Sequence, residues 1–296
     1  MKNPLVYVLI LNWNGLSDTL ACIESVRKSD YPNLRVLLVD NGSRESPEAE
    51  VMRRFPDIEY LQTKENLGFA GGNNVGFAYA LKKKADYVFI LNNDTEIAKD
   101  AISQLVRFCE KKPKAGAAGS KIYYHSHPNR IWSAGSLLVL GKSILRGINE
   151  EDWGQYDVAM RMPQVVGAAI LMRASALRQV GGFDEGYFAY YEETKWCLLA
   201  GNAGWQIWYV PASKVWHKVA ASTGGGSSPQ SVYYLVRNRL HLIVDVLPWV
   251  EKLPAFLLWV AEVCVRAASY CARGKFALVK ATLKGGLHGL CGRTGK

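Results

Sequence analysis

Apolar residues fall in short continuous blocks, and the stretches between them carry helical spacing. Residues 5–11, 34–39, 58–62 and 87–91 are each long enough for a buried strand and too short for a helix. Between the first two, residues 16–29 place Leu20, Ile23 and Val26 on one face, with Ser17 and Asp18 as candidate caps. Residues 47–55 and 68–84 also read as helices, the latter opening on a Gly/Asn-rich turn. This alternation predicts a parallel sheet covered on both faces. Beyond Asp94 the pattern is less regular. It predicts a helix over 100–111, strands over 115–124, 131–140 and 165–172, and a helix over 174–180 ended by Gly181-Gly182. A helix over 192–203, a strand over 205–210 and a flexible loop over 224–229 follow, and everything after Val232 reads as largely helical. No internal repeat is present.

Chemistry concentrates where strands end. Asn92-Asn93-Asp94 follows the run 87–91, and in α/β proteins ligands bind at the carboxyl ends of strands. One carboxylate beside neutral amides suits a hard divalent cation that must also hold a diphosphate; a self-bonded Asx turn is the alternative. Asp40 ends the second strand, either accepting the imino proton of a pyrimidine or closing a turn. The segment from Asn66 through Gly71 and Gly72 to Asn74 could cradle an anion at a helix N-terminus, although it is neither a GxGxxG nor a P-loop. Glu192-Glu193 follows an aromatic run (Tyr187, Phe188, Tyr190, Tyr191). The pair is either a general base with a raised pKa or a set of helix-start acids. His217 is a candidate metal ligand or a structural histidine.

Composition narrows the setting. Of 296 residues, 49% are hydrophobic and 21% charged, which excludes intrinsic disorder and allows a large core. The six cysteines show no CxxC pair and read as reduced thiols. The net charge of +10 is uneven: from Arg237 to Lys296 ten Lys/Arg face three acids. A basic tail with Trp, Leu and Phe suits an anionic membrane surface or an ordinary solvated helical face; nucleic acid is not expected, because no such binding motif accompanies the charge. The most apolar stretch, 240–265, is broken by Asp245, Pro248, Glu251, Lys252, Pro254 and Glu262, and no span is expected. The N-terminus does not read as a signal peptide, so the expected place is the cytoplasm, peripheral on the inner face of the membrane.

Taken together, Asn12-Trp13-Asn14, Asp40-Asn41-Gly42-Ser43, Asn66-Leu67-Gly68, Asn92-Asn93-Asp94, Gly181-Gly182-Phe183-Asp184-Glu185, Glu192-Glu193 and His217 resemble the family 2 glycosyltransferases, in their bacterial rhamnosyltransferase-like branch. The likeness covers about residues 3–240 and extends through Tyr233-Tyr234 and Arg237-Asn238. It implies an α/β GT-A fold, a Rossmann-like nucleotide-binding sheet merged with an acceptor-binding half, over 1–236, plus a basic amphipathic helical tail over 237–296. It also implies a donor site drawing on Asn12, Asn14, Asp40, Asn66, Gly71, Asn74, Asn92 and Asn93. Asp94 and His217 would serve Mg²⁺ or Mn²⁺, and Glu193, beside Glu192, would be the general base. The implied reaction is inverting transfer from a nucleoside-diphosphate sugar, dTDP-rhamnose favoured, to a glycan or polyprenyl-linked acceptor. Three positions depart from the family. Glu193 replaces Asp, and Lys195 and Leu199 stand where relatives usually carry Asp and Arg. These departures support an alternative, a catalytically weak nucleotide-sugar or glycan-binding partner subunit. A nucleotidyltransferase lacks the expected Gly-rich loop followed by Lys.

Overall fold

The computed structural model describes residues 3–219 and 228–296. In its first third β1 (Val6–Asn12), α1 (Leu16–Arg27), β2 (Leu34–Asp40), α2 (Glu48–Arg54), β3 (Glu59–Gln62), α3 (Gly68–Lys82) and β4 (Tyr87–Asn92) alternate as expected. β1 pairs in parallel with β2 and β4, and β2 with β3. Both faces are covered, so the strands are apolar throughout instead of alternating. Val8, Ile10, Leu38 and Phe89 face α1, α2 and α4 (Ala101–Glu110), whereas Leu9, Leu37 and Ile90 face α3 and the helices that follow residue 173.

The remaining strands are β5 (Thr95–Ile97), β6 (Ala115–Tyr124), β7 (His127–Ser133), β8 (Ser136–Val139), β9 (Lys142–Leu145), β10 (Met160–Arg161), β11 (Ala169–Arg173) and β12 (Gln206–His217). β11 enters antiparallel between β4 and β6, and β12 then lies parallel to β6, which extends the sheet on the order β10-β12-β6-β11-β4-β1-β2-β3. α5 (Ala174–Val180) and α6 (Glu192–Asn202) cover the second face. α7 (Pro229–Val246), α8 (Trp249–Ala272) and α9 (Phe276–Leu290) form a helical layer of their own.

Four expectations change. The strand over 131–140 is two strands broken at Gly135 (φ 89°), and β8 leaves the main sheet to pair with β9. Their hairpin turns at Leu140-Gly141, both with positive φ as a two-residue primed turn demands. The strand expected over 165–172 starts only at Ala169. The strand over 205–210 runs on to His217, because the register shift between Val210 and Lys214 accommodates Pro211 in an irregularity. The expected domain boundary at 236/237 falls inside α7. Ser228 caps that helix by accepting from the Ser231 N–H (3.1 Å), Pro229 starts it, and Val232, Val236, Leu240 and Ile243 bury one continuous face. The loop expected over 224–229 lies mostly outside the described residues.

Candidate active site

Parallel register aligns Asn12 with Asp40 at neighbouring strand ends. The Asn12 amide donates to Asp40 Oδ1 (2.8 Å) and Ser43 Oγ (3.1 Å), and Gln62 Nε2 donates to Asp40 Oδ2 (3.1 Å). Asp40 is fully buried, so its carboxylate stands behind the strand-end surface instead of facing the cavity. Asn14 takes a left-handed φ of 56° and accepts from the Arg44 N–H (2.8 Å), which staples the loop after β1 to the loop after β2. Asn66 Oδ1 accepts from the Gly68 N–H (2.8 Å) and from Asn41 Nδ2 (3.2 Å).

At the end of β4, Asn93 Nδ2 donates to Thr19 Oγ1 (3.0 Å), and Asp94 turns toward β12. Antiparallel pairing of β5 with β12 sets Thr95 opposite His217. His217 Nε2 therefore lies 3.0 Å from Asp94 Oδ1, with the Trp132 ring edge-on at 4.6 Å. Both members of the pair are buried, while His217 Nδ1 and Asn92 Oδ1 are buried without a partner. Among the described residues no group of three or more His, Cys, Asp or Glu could hold a metal ion. One carboxylate, one imidazole and an unclaimed amide oxygen fit a cation completed by diphosphate oxygens and water.

Asn66, Asn93, Asp94, Glu192, Glu193 and His217 line one cavity of about 500 Å³, to which Asn92 also belongs. α6 delivers the two glutamates directly after Tyr191, whose φ of 74° is left-handed. Burial raises both carboxyls: Glu192 well above its ordinary value with Glu193 adding repulsion, and Glu193 against the backbone N–H groups, among them that of Gly167, that pull it down. Each retains one oxygen without a hydrogen-bond partner. A buried, under-bonded carboxylate is poised to take a proton.

Gly71 and Asn74 do not line this cavity. Residues 68–74 are the first turns of α3, not an open anion-binding loop, and a Cβ on Gly71 would meet Leu67 Cβ at 2.8 Å. The Asn74 side chain is spent on Phe183, donating to its carbonyl (2.8 Å) and accepting from its N–H (2.7 Å). Lys195 turns to Asp184 (2.6 Å) and Asp245 (2.7 Å), neither of which lies on α6. Trp132, Gln164 and Tyr234 also line the cavity and were not foreseen. Gln164 accepts a short hydrogen bond from Thr194 Oγ1 one turn into α6. No local spacing marks these three, because each reaches the cavity only through long-range packing.

A mixed sheet with asparagines and an Asp–His pair at its strand ends, facing a buried glutamate pair, defines a GT-A glycosyltransferase. Residues 7–181 match the model of the family described as glycosyl transferase family 2, and the chain belongs to that family. It is 30% identical over 210 residues to an N-acetylglucosaminyl-diphospho-decaprenol L-rhamnosyltransferase of Mycobacterium tuberculosis, covering 64% of this chain and 68% of that protein. It is 24% identical over 258 residues to the dTDP-rhamnosyl transferase RfbF of Shigella flexneri, covering 81% and 80%. A mannosyltransferase from Pyrobaculum calidifontis, solved with GDP-Man and Mn²⁺, shares the fold with a TM-score of 0.61 at 15% identity, over 98% of this chain and 88% of that one.

The raised carboxyls carry a stability signature. A carboxyl whose folded pKa exceeds its unfolded value stabilises the protein at low pH, and that contribution is lost as pH rises through the folded value. Glu192→Gln, which mimics the protonated form, should leave Tm near wild type at pH 4. Above the ordinary carboxylate range it should raise Tm, by about 1.5–2 °C for each kcal/mol recovered. Calorimetric scans across pH check this, and a pH-independent difference counts against burial of a charge.

Proposed function

We propose that the chain transfers a sugar, rhamnose favoured, from dTDP-rhamnose to a lipid-linked or polysaccharide acceptor with inversion at the anomeric carbon. The observation that carries this reading is the single cavity shared by the Asp94–His217 pair and the buried Glu192-Glu193 pair. The rhamnosyl-transferring relatives support the donor and the acceptor class. The donor base would lie over the ends of β1 and β2, where Asp40 becomes available if Gln62 or Ser43 yields its hydrogen bond. Asp94 and His217, with Asn92, would hold Mg²⁺ or Mn²⁺. When bound, such an ion neutralises charge on the diphosphate. Glu193 accepts the proton of the attacking acceptor hydroxyl, and its burial keeps its basicity high.

The C-terminal helices fit a peripheral place on the inner membrane face. α8 is long and apolar enough, by length and composition, to cross a membrane. One of its faces is nevertheless committed to protein. Glu262 pairs with Lys142 (2.8 Å) and Arg239 (2.5 Å), and Trp259 Nε1 donates to the Val236 carbonyl (2.9 Å). The opposite face exposes Trp249, Val250, Leu253 and Leu257, and α9 exposes Phe276, Leu283, Leu287 and Leu290. From Arg266 to Lys296 there are seven Lys/Arg and no acid. An apolar strip flanked by basic side chains lies in the plane of an anionic interface.

Glu193→Gln should lower transfer by about 10²–10⁴-fold with donor binding intact, the usual contribution of a general base. Glu192→Gln should cost less in steady-state assays, and the reverse order would exchange their roles. Asp94→Asn should weaken dTDP binding in Mn²⁺ at least about ten-fold, some 1.4 kcal/mol, with unchanged circular dichroism. Titration calorimetry with and without Mn²⁺ tests it, and equal affinities would remove Asp94 from the metal site. In flotation assays the protein should rise with phosphatidylglycerol vesicles. Binding should weaken as added salt shortens the screening length from about 10 Å at 0.1 M to about 3 Å at 1 M. Equal binding to neutral vesicles would refute the electrostatic component.

A further inference from the structure

The approach to α6 is set by residues 184–191, in which Phe188, Tyr190 and Tyr191 have φ of 63°, 70° and 74°. These are left-handed values that residues with a Cβ disfavour. Tyr191 directly precedes Glu192, so the direction in which both glutamates leave the backbone depends on what holds this loop. α7 donates to four of its carbonyls. The Asn238 amide donates to Tyr187 O (2.8 Å), Ala189 O (2.7 Å) and Tyr190 O (2.8 Å), and Arg237 Nη2 donates to Gly186 O (3.1 Å) and Tyr187 O (3.0 Å).

A second fastening comes from α6 itself. Lys195 Nζ donates to Asp184 Oδ2 at the start of the loop and to Asp245 Oδ2 in the last turn of α7. The same Asp245 oxygen accepts from Tyr187 Oη (3.1 Å), and the ammonium sits 5.1 Å from the Tyr187 ring centroid. Burial alone would lower the Lys195 pKa, but the two carboxylates outweigh it and hold the group above its usual value. Lys195 does not line the cavity, whereas Phe188, Tyr190 and Tyr191 do. Removal of the ammonium would leave two carboxylates facing each other without the cation that bridges them, and their repulsion would loosen the loop from α7.

We propose that Lys195, acting through Asp184, Asp245 and Tyr187, is a positioning residue that locks the left-handed aromatic loop. The lock aims Glu193 and the aromatic wall at the acceptor. This rests on the reading of Glu193 as the base.

The test uses the full chain with dTDP-rhamnose as donor and a polyprenyl-diphospho-N-acetylglucosamine as acceptor probe. Lys195→Met should lower acceptor kcat/KM by roughly 10- to 100-fold, the scale of a small misplacement near the chemistry, through both a higher acceptor KM and a lower kcat. The dTDP affinity should stay unchanged. Lys195→Arg should retain most activity, and Lys195→Met with Asp245→Asn should recover part of the loss by removing the repulsion. Independently of any substrate, hydrogen exchange of residues 184–195 should quicken in Lys195→Met while β1 stays protected. Wild-type exchange and acceptor KM in that variant would overturn the proposal, as would a loss of kcat alone with no recovery in the double variant. Should Lys195→Met fail to fold, the milder Asp245→Asn carries the same exchange and KM measurements. If Glu193→Gln keeps the full rate while Lys195→Met still quickens exchange and raises acceptor KM, the base assignment falls and the lock on the aromatic wall stands.

Discussion

The Asn238 amide, shared among three carbonyls of one loop, is the contact on which the geometry of the site depends. Phe188, Tyr190 and Tyr191 each hold a positive φ, at about 1–3 kcal/mol apiece. The loop's own N–H groups reach the carbonyls of Asp184, Glu185 and Tyr187, but the carbonyls of Ala189 and Tyr190 take the Asn238 amide. Left unpaired and buried, each carbonyl would cost about 1–3 kcal/mol more. Asn238 and Arg237, both fully buried, remove that second cost and so make the first tolerable. The loop in turn delivers Glu192 and Glu193 to the cavity with their charge shielded from water. A strained segment held from outside can keep an orientation that local propensity would not select.

Sheet register performs the same service for the donor half. Alignment of β1 with β2 brings Asn12 to Asp40, and the short pairing of β5 with β12 brings His217 to Asp94 across more than a hundred residues of chain. The two pairings differ in kind. The first follows from a parallel sheet whose strands all end at one level. The second requires β12 to pass Pro211 and resume pairing with β6 at Lys214, so that its last residue reaches the site. Without that irregularity His217 would fall elsewhere.

This difference explains what could be read from the sequence. The alternating blocks of the first hundred residues announced β1 to β4 and α1 to α3 nearly to the residue, because buried parallel strands and their helices write distinct periodicities. The strand-end residues Asn92, Asn93 and Asp94 were visible for the same reason, Asn66 by its place in a Gly/Asn-rich turn, and the two glutamates by their place after an aromatic run. What escaped depends on distant partners. Gly71 and Asn74 looked like an anion cradle, yet close packing against Leu67 and bonds to Phe183 account for them. Lys195 looked like a defect beside the base, because neither Asp184 nor Asp245 is its neighbour in helical spacing. The break at Gly135 and the extension of β12 past Pro211 likewise answer to tertiary pairing, which overrides the local signal.

α7 joins these themes and blurs the expected border between catalytic domain and tail. Ser231, Tyr234 and Leu235 in its first half line the cavity, Arg237 and Asn238 hold the aromatic loop, and Asp245 near its end anchors Lys195. The next helix, α8, packs back on it through Trp259 and Glu262 and turns an apolar face outward. One helix therefore touches the cavity, the loop that leads into Glu192 and Glu193, and the surface that faces away from the sheet. A force applied to α8 and α9, such as their settling into a lipid interface, has a short and well-packed path to Glu193. The tail is continuous with the cavity wall, and its removal at residue 236 would cut the helix that forms part of that wall.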